Sequence, residues 1–527
     1  MKKYIIISLV FLGISSSCTF LAEDPKVQIT TEEFYKTEND ALVALSGAYG
    51  QMKSGYGYYR QTFITNLFAS SDQGTGSYKH AEYFTGTLSA TNATLTDTWN
   101  QIYISIRDVN NVIAKVPAID MDEEYKARLI GEARFLRGLH YLNLVRAWGE
   151  VPLRLTPAKE GEDEVGLPVS GIDVIYNSII ADLKYASDNC WGLEESRNGQ
   201  TNAIGRVTNT AARALLAKTY LHIASATRNA LIGNEGCKPY EVFAGKYQAY
   251  YDSAKVYCDI VIEDDTYALV DNLTNWENLF HASNGNNREF LFDIQNAPIS
   301  GQGSSVTNLF TPQGAGLSAG NWGGTNDFKS GFTGNNIDVS DTRYDKAIIH
   351  EYTTSTFHYA VNTNKTAYIA YDLETNEQQA IVYRVFTSKY IDKEATSDAT
   401  AQQNWHVIRL ADVFLMRAEA VAEIYKNPAL ANDDINTLRE RVDMDHLFDG
   451  AGMSMSDFRK FLIRERGVEL MGEGHRWFDL TRMGMLEELV KTAFDPSNTG
   501  KVEGIRGPED YVWPIPYSEV ASNENID

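Results

Sequence analysis

The sequence predicts a mostly α-helical fold in which tetratricopeptide-like helix pairs form a scaffold and a large, irregular, loop-rich half is attached to it. Three observations carry this reading. Apolar stripes at helical spacing fill the first half and the C-terminal third, two of those stripes resemble each other, and a long glycine-rich stretch without helical period lies between the two regions. With 527 residues, 43% apolar and 22% charged, the chain has the composition of an ordinary globular protein and is long enough to bury a sizeable core.

The first element is not part of the fold. Lys2 and Lys3 precede an apolar run from Ile5 to Ile14, and three serines lead to Cys18. A basic start, a short apolar core and small residues make 1–17 a secretory signal peptide. The run is half the ~20 residues a membrane-spanning helix needs, and no later segment reaches that length. Cys18 directly after small residues resembles a bacterial lipobox, in which the thiol is acylated and becomes the new N-terminus. Ser15 stands where many lipoboxes carry Leu, and the bland alternative is a plain signal with an incidental cysteine. Residues 18–30, short and polar with one proline, suit a lipid-anchored tether to a domain over 31–527.

Helices follow. Thr37-Glu38-Asn39-Asp40 has the form of a capping box before Leu42, Leu45, Ala48, Tyr49 and Met52. Trp99, Ile102, Tyr103, Ile106, Val109, Ile113 and Val116 trace one helical face that stops at Pro117, where the missing N–H forbids continuation. Further stripes run through Phe135, Leu139, Leu142 and Val145, then through Ile175, Ile179, Leu183 and Ala186 behind a second box at Ser170–Asp173. Ala212, Leu215, Thr219 and Ile223 continue the pattern, and Leu410, Phe414, Ala418 and Val421, then Ile435, Leu438 and Val442, carry it into the C-terminal third. Arg134 to Leu142 aligns with Arg213 to Leu221, sharing Arg, Leu, a small residue at 138 and 217, Tyr and Leu. A small residue one turn from an aromatic ring lets two helices approach closely, as in tetratricopeptide repeats of about 34 residues. The spacing here makes any repeat degenerate, and two unrelated amphipathic helices are the alternative.

A loop-rich insertion is read over about 270–405. Residues 296–340 hold nine glycines and almost no charge. Loops longer than ~12–15 residues without secondary structure are usually functional or disordered. Phe310, Trp322 and Phe328 among Asn, Gly, Ser and Thr favour an ordered, ligand-facing surface. The Tyr- and Thr-rich stretch from 343 to 393 alternates weakly and reads as hairpin or irregular structure.

Several chemistries are argued against. A formal charge of −23 repels phosphate backbones, so no nucleic acid is expected. The four cysteines, at 18, 190, 237 and 258, lack CxxC spacing, and no HExxH, GxSxG, Walker A or EF-hand pattern occurs, so no metal, cofactor or enzymatic activity is expected. His475 reads as structural. The alternating run Arg464, Glu465, Arg466, Glu469, Glu473, Arg476, Asp479, Arg482 reads as an ion network on a helix pair. What remains is aromatic content: 30 Tyr, 8 Trp and 22 Phe. Tyr and Trp pair an apolar face with a polar tip, which suits sugar rings. The rings and polar groups standing in loop-like contexts are Asp72 and Tyr78, Trp276, and Asn321 with Trp322, the candidate ligand residues.

Taken together these residues resemble one family, the SusD/RagB outer-membrane lipoproteins of Bacteroidetes. The likeness rests on the signal ending at Cys18, on Glu132 to Leu142 with Trp148-Gly-Glu-Val-Pro152-Leu, and on Ala211 to Leu221. It extends through Arg409 to Ala420, through Arg464-Glu-Arg with Glu473-Gly-His-Arg476-Trp-Phe-Asp479-Leu, and to Trp513-Pro-Ile-Pro516. The end, Ser522-Asn523-Glu524-Asn525, departs from an Asn-Pro-Asn-like tail and leaves its docking open; Glu23 and Asp24 resemble a surface-export signal. The resemblance implies about four helix pairs scaffolding a loop-rich half that binds an oligosaccharide, a cell-surface outer-membrane location, and a SusC-like TonB-dependent β-barrel on which the protein sits as a lid. Two other readings stand beside it: the same architecture binding peptides or another nutrient, and a surface hydrolase using carboxylates without a motif.

Overall fold

The computed structural model describes residues 34–55, 57–76, 80–157, 166–299, 301–312, 314–315, 328–330, 338–365, 367–382, 385–397, 400–492 and 506–526. The leader, Cys18 and the tether lie outside the described residues. Helix α1 (Glu38–Gln51) opens with the capping box read from the sequence: Thr37 Oγ1 accepts from Asp40 N at 3.2 Å and the Asp40 carboxylate accepts from Thr37 N at 2.8 Å. Then come α2 (Thr62–Ala69) and α3 (Ala93–Lys115), whose start is held by the Asn92 side chain accepting from the amides of Thr94 and Leu95. Trp99, Ile102, Ile106 and Val109 of α3 are buried, and the helix gives way to a 3-10 turn holding Pro117.

Helices α4 (Glu123–Trp148), α5 (Ile172–Asn189), α6 (Asn209–Leu231) and α7 (Tyr247–Ile262) each pack on the one before. The Ser170–Asp173 box does not form. Ser170 instead pairs with Val151 in a two-residue ladder, and Gly171 caps α5 without a side-chain hydrogen bond. The two look-alike segments fall in α4 and α6, the first helices of successive pairs, so the repeating unit is a helix pair with its loops. At Gly138 a Cβ would lie 3.0 Å from Leu183 Cγ and Cδ2, which is the close approach that the small residue allows.

After α7 the chain leaves the stack. Strand β1 (Phe290–Ile294) is followed by a four-stranded antiparallel meander, β2 (Glu351–Thr353), β3 (Phe357–Val361), β4 (Tyr368–Asp372) and β5 (Gln378–Val382), where the sequence suggested hairpin or irregular structure. Strand β6 (Trp405–Arg409) pairs antiparallel with β1, Trp405 opposite Ile294, so the excursion returns to where it began. Helix α8 (Leu410–Tyr425) then packs on α7 and α6, and is covered by α9 (Asn432–Glu440) and α10 (Met455–Glu469). Helix α11 (Arg476–Arg482) leads towards the end of the chain, where α12 (Tyr517–Ser522) forms. The departure at the tail does not prevent docking: Asn523 Nδ2 donates to Leu167 O at 2.8 Å and Asn525 Nδ2 to Gly166 O at 2.7 Å.

Apolar side chains form two cores. The larger fills the helix stack; the smaller gathers Trp276, Phe280, Phe290, Tyr344, Tyr368 and Phe386 beneath the meander. The seam between them is ionic. Arg409 reaches Glu289 at 2.7 Å, Glu469 at 2.8 Å and Glu473 at 2.8 Å; Arg441 reaches Glu289 and Glu469; Arg343 reaches Asp341, Glu465 and Glu469; Lys389 reaches Glu473 at 2.8 Å. These groups are almost wholly buried, so charge is matched by charge because neither partner retains water. The alternating run in the sequence is thus an ion network, but one between elements: of the pairs joining members of that run, Arg482–Asp479 is spaced as on a helix face.

Candidate ligand-binding surface

Two segments far apart in sequence meet at a short antiparallel ribbon. Gly74 pairs with Ser330, Thr75 with Lys329 and Gly76 with Phe328. This joins the loop after α2 to the glycine-rich stretch. Gly74 is obligatory, since a Cβ there would sit 2.7 Å from Phe68 O. Candidate residues Tyr78, Asn321 and Trp322 lie outside the described residues, in segments that run directly into the two strands of this ribbon.

Asp72 and Trp276 are placed differently from the sequence expectation. Asp72 takes the Arg476 fork through both oxygens at 2.8 Å, in a buried pair, and Gln73 Nε2 donates to Gly467 O at 3.0 Å. The carboxylate therefore ties the loop to α11 instead of facing a sugar hydroxyl, and Gln73 ties it to the end of α10. Trp276 is fully buried in the smaller core, its Nε1 donating to Glu469 Oε1 at 3.2 Å with Lys389 Nζ 5.1 Å over its ring. It walls the ionic seam, not a ligand surface. Phe310 is likewise interior, 4.8 Å from Phe68 and 5.0 Å from Tyr390 between ring centres. His475 is structural: its Nδ1 lies 3.2 Å from Lys218 Nζ, and burial, reinforced by that ammonium, lowers its pKa to about 3.

Beside the foot of the ribbon opens a cavity of about 280 Å³ lined by Ser70, Tyr83, Thr87, Arg506, Asp510 and Trp513. Trp513 is fixed by its Nε1 hydrogen bond to Ser70 Oγ at 3.0 Å and by stacking on Trp477 at 4.8 Å. Burial raises the Asp510 pKa and lowers that of Arg506, which stands 3.5 Å away. The aromatic part of its lining, Tyr83 and Trp513, is nearly buried, and its charged part is the Arg506–Asp510 pair. Sequence reasoning singled out Trp513 only as part of a block and missed Tyr83 and Arg506, because the three are brought together by long-range packing. Among the described residues no group of three His, Cys, Asp or Glu gathers to hold a metal, and no helix is long and apolar enough to cross a membrane.

Comparison with known proteins agrees with this architecture. A family model described as SusD family matches residues 248–527, and one described as starch-binding associating with outer membrane matches 20–221. SusD-like protein P2 of Formosa agariphila is 26% identical over 100% of this chain and 99% of its own, and a SusD-like protein of Bacteroides ovatus is 25% identical over 91% and 82%. Among solved structures, a SusD homologue from Bacteroides thetaiotaomicron superposes with a TM-score of 0.74 at 21% identity, over 96% of this chain and 99% of that one. A laminarin-binding SusD-like protein gives 0.69 at 23% identity over 94% and 99%, and a structure solved with xylogluco-oligosaccharide gives 0.69 at 21% over 92% and 97%. With one model spanning more than half of the sequence and relatives aligned from end to end, the chain belongs to the SusD family.

Proposed function

We propose that the protein is a non-catalytic, lipid-anchored glycan-binding protein of the outer-membrane surface, which captures an oligosaccharide and passes it to a SusC-like TonB-dependent β-barrel that it covers as a lid. The observation that carries this reading is family membership across the chain, with a matching family model described as starch-binding and structural neighbours described as laminarin-binding and solved with xylogluco-oligosaccharide. The ribbon supports it by pairing Gly74–Gly76 with Phe328–Ser330, two strands that adjoin in sequence the segments holding Tyr78 and holding Asn321 and Trp322. Ligand recognition there needs no reacting group: an aromatic platform and amide or carboxylate edges suffice.

The test is incubation of the purified protein with a panel of α- and β-glucans, xylans, mannans, fructans and uronic-acid polymers. One member should bind and raise the unfolding midpoint, since a ligand at 100 times its Kd adds about 2.7 kcal/mol, and no reducing ends should appear. Release of reducing ends with turnover would assign a hydrolase, and protection by a protein hydrolysate alone would assign a peptide-binding relative.

A further inference from the structure

A cavity of about 370 Å³ lies on the helical side, along α3. Its first wall is a second stripe of that helix. Asn100, Tyr103, Ile104 and Arg107 fall at i, i+3, i+4 and i+7, so they share one face, offset from the buried stripe of Trp99, Ile102, Ile106 and Val109. Asn100 and Arg107 are exposed at its two ends, while Tyr103 and Ile104 are half-buried between them.

The second wall is the segment after Pro152, and it is fixed in advance by side chains from two helices. Tyr103 Oη donates to Pro152 O at 2.8 Å, Tyr141 Oη to Arg154 O at 2.8 Å, Asn110 Nδ2 to Arg154 O at 3.0 Å, and Arg137 Nη1 to Leu155 O at 2.9 Å. From this wall the Arg154 guanidinium extends 5.6 Å over the Tyr103 ring and stands 3.8 Å from Glu519 of α12. The Tyr103 hydroxyl is already engaged and Arg154 and Trp99 cover part of its ring, so Ile104 and the uncovered part of that ring give the cleft its apolar surface. Arg154 and Glu519 place a donor and an acceptor side by side, and Asn100 adds one of each. That combination complements the C–H face and the vicinal hydroxyls of a neutral sugar, and the volume admits one or two rings.

We propose that this cleft is a second carbohydrate site, separate from the ribbon surface, so that one chain holds two positions along a glycan or two glycans at once. The inference rests on the glycan-binding reading above. A preformed second site raises avidity for polymers over short oligomers without a new contact at the first.

The experiment is isothermal titration of the purified protein with malto-, laminari- and xylogluco-oligosaccharides, with Asn100→Trp filling the cleft from an exposed helix position that does not threaten folding. Two binding events per chain are expected for the oligosaccharide that binds. Asn100→Trp should remove one of them at unchanged melting temperature, Glu519→Gln should weaken that same event roughly tenfold, and Trp322→Ala should leave it intact. A single event indifferent to Asn100→Trp and Glu519→Gln would overturn the second site and leave the glycan-binding reading standing. Absence of binding by all three oligosaccharides would count against both.

Discussion

Burial keeps His140 and His475 neutral, with the pKa of each lowered from 6.5 to about 3. In the unfolded chain both protonate near 6.5, so the native state binds fewer protons than the unfolded state between these values. Their contribution to stability is therefore complete above pH 6.5 and is lost as pH falls towards 3, on the order of 2 kcal/mol for each at pH 5. Glu473 and Asp479, held at about 2 against the penalty of burial by Arg409 and Lys389 and by Arg466 and Arg482, add a further loss below about pH 4.5. Thermal midpoints measured from pH 7.5 to 5 should fall, and His475→Gln, which keeps an acceptor for Lys218, should flatten the decline. A slope unchanged in that variant would remove His475 from the account. Trp322 makes the complementary residue-scale prediction. If its indole is a sugar platform, Trp322→Ala weakens oligosaccharide binding by about 1–3 kcal/mol with little change in melting temperature, as read by calorimetry.

At the scale of elements, the approach of α4 to α5 depends on Gly138. Gly138→Val places a branched carbon against Leu183 and should cost about 1–3 kcal/mol in chemical denaturation, through overpacking in a filled interface. Asn92→Ala, which removes the acceptor for two amides at the start of α3, should cost about 1 kcal/mol in the same measurement. The sequence displayed these helices because their burial follows a local period: Trp99 to Val109 repeat every turn, and Pro117 ends them. It misled at Ser170, where a short ladder with Val151 took the residue that a capping box would use. The ligand surface was less legible for a related reason. Asp72 and Trp276 sit among polar neighbours in sequence, and what buries them comes from Arg476 and Glu469, about which local spacing carries no information. The pairing of Gly74–Gly76 with Phe328–Ser330 likewise leaves no periodic trace, although it groups the loops that composition had singled out separately.

At the scale of the molecule, the ionic seam decides how the two cores behave. Arg409 touches three carboxylates with no solvent to replace it, so Arg409→Leu should cost about 3–5 kcal/mol, far more than deleting a surface pair. Differential scanning calorimetry should show one transition for the native protein, and in this variant a lower or divided one as the smaller core loses its attachment. The lipid anchor proposed at Cys18 predicts a second global effect: Cys18→Ala should release the protein from the outer-membrane fraction, or leave the leader uncleaved, and normal retention would defeat the lipoprotein reading.

The loop that carries Asp72 is braced from the far end of the chain: by Arg476 and Gly467, 404 and 394 residues from their partners, and at Ser70 by Trp513, 443 residues away. A polypeptide made N-terminus first presents this loop long before its braces are synthesised. Helices α3 to α7, each resting on its predecessor, have neighbours to fold against as they appear, whereas closing a ring of this length waits for the last of the chain and adds to the entropy of closure. Shape at the ribbon is therefore acquired late: a chain interrupted before Arg476 is a helical stack without the brace its candidate recognition loop requires.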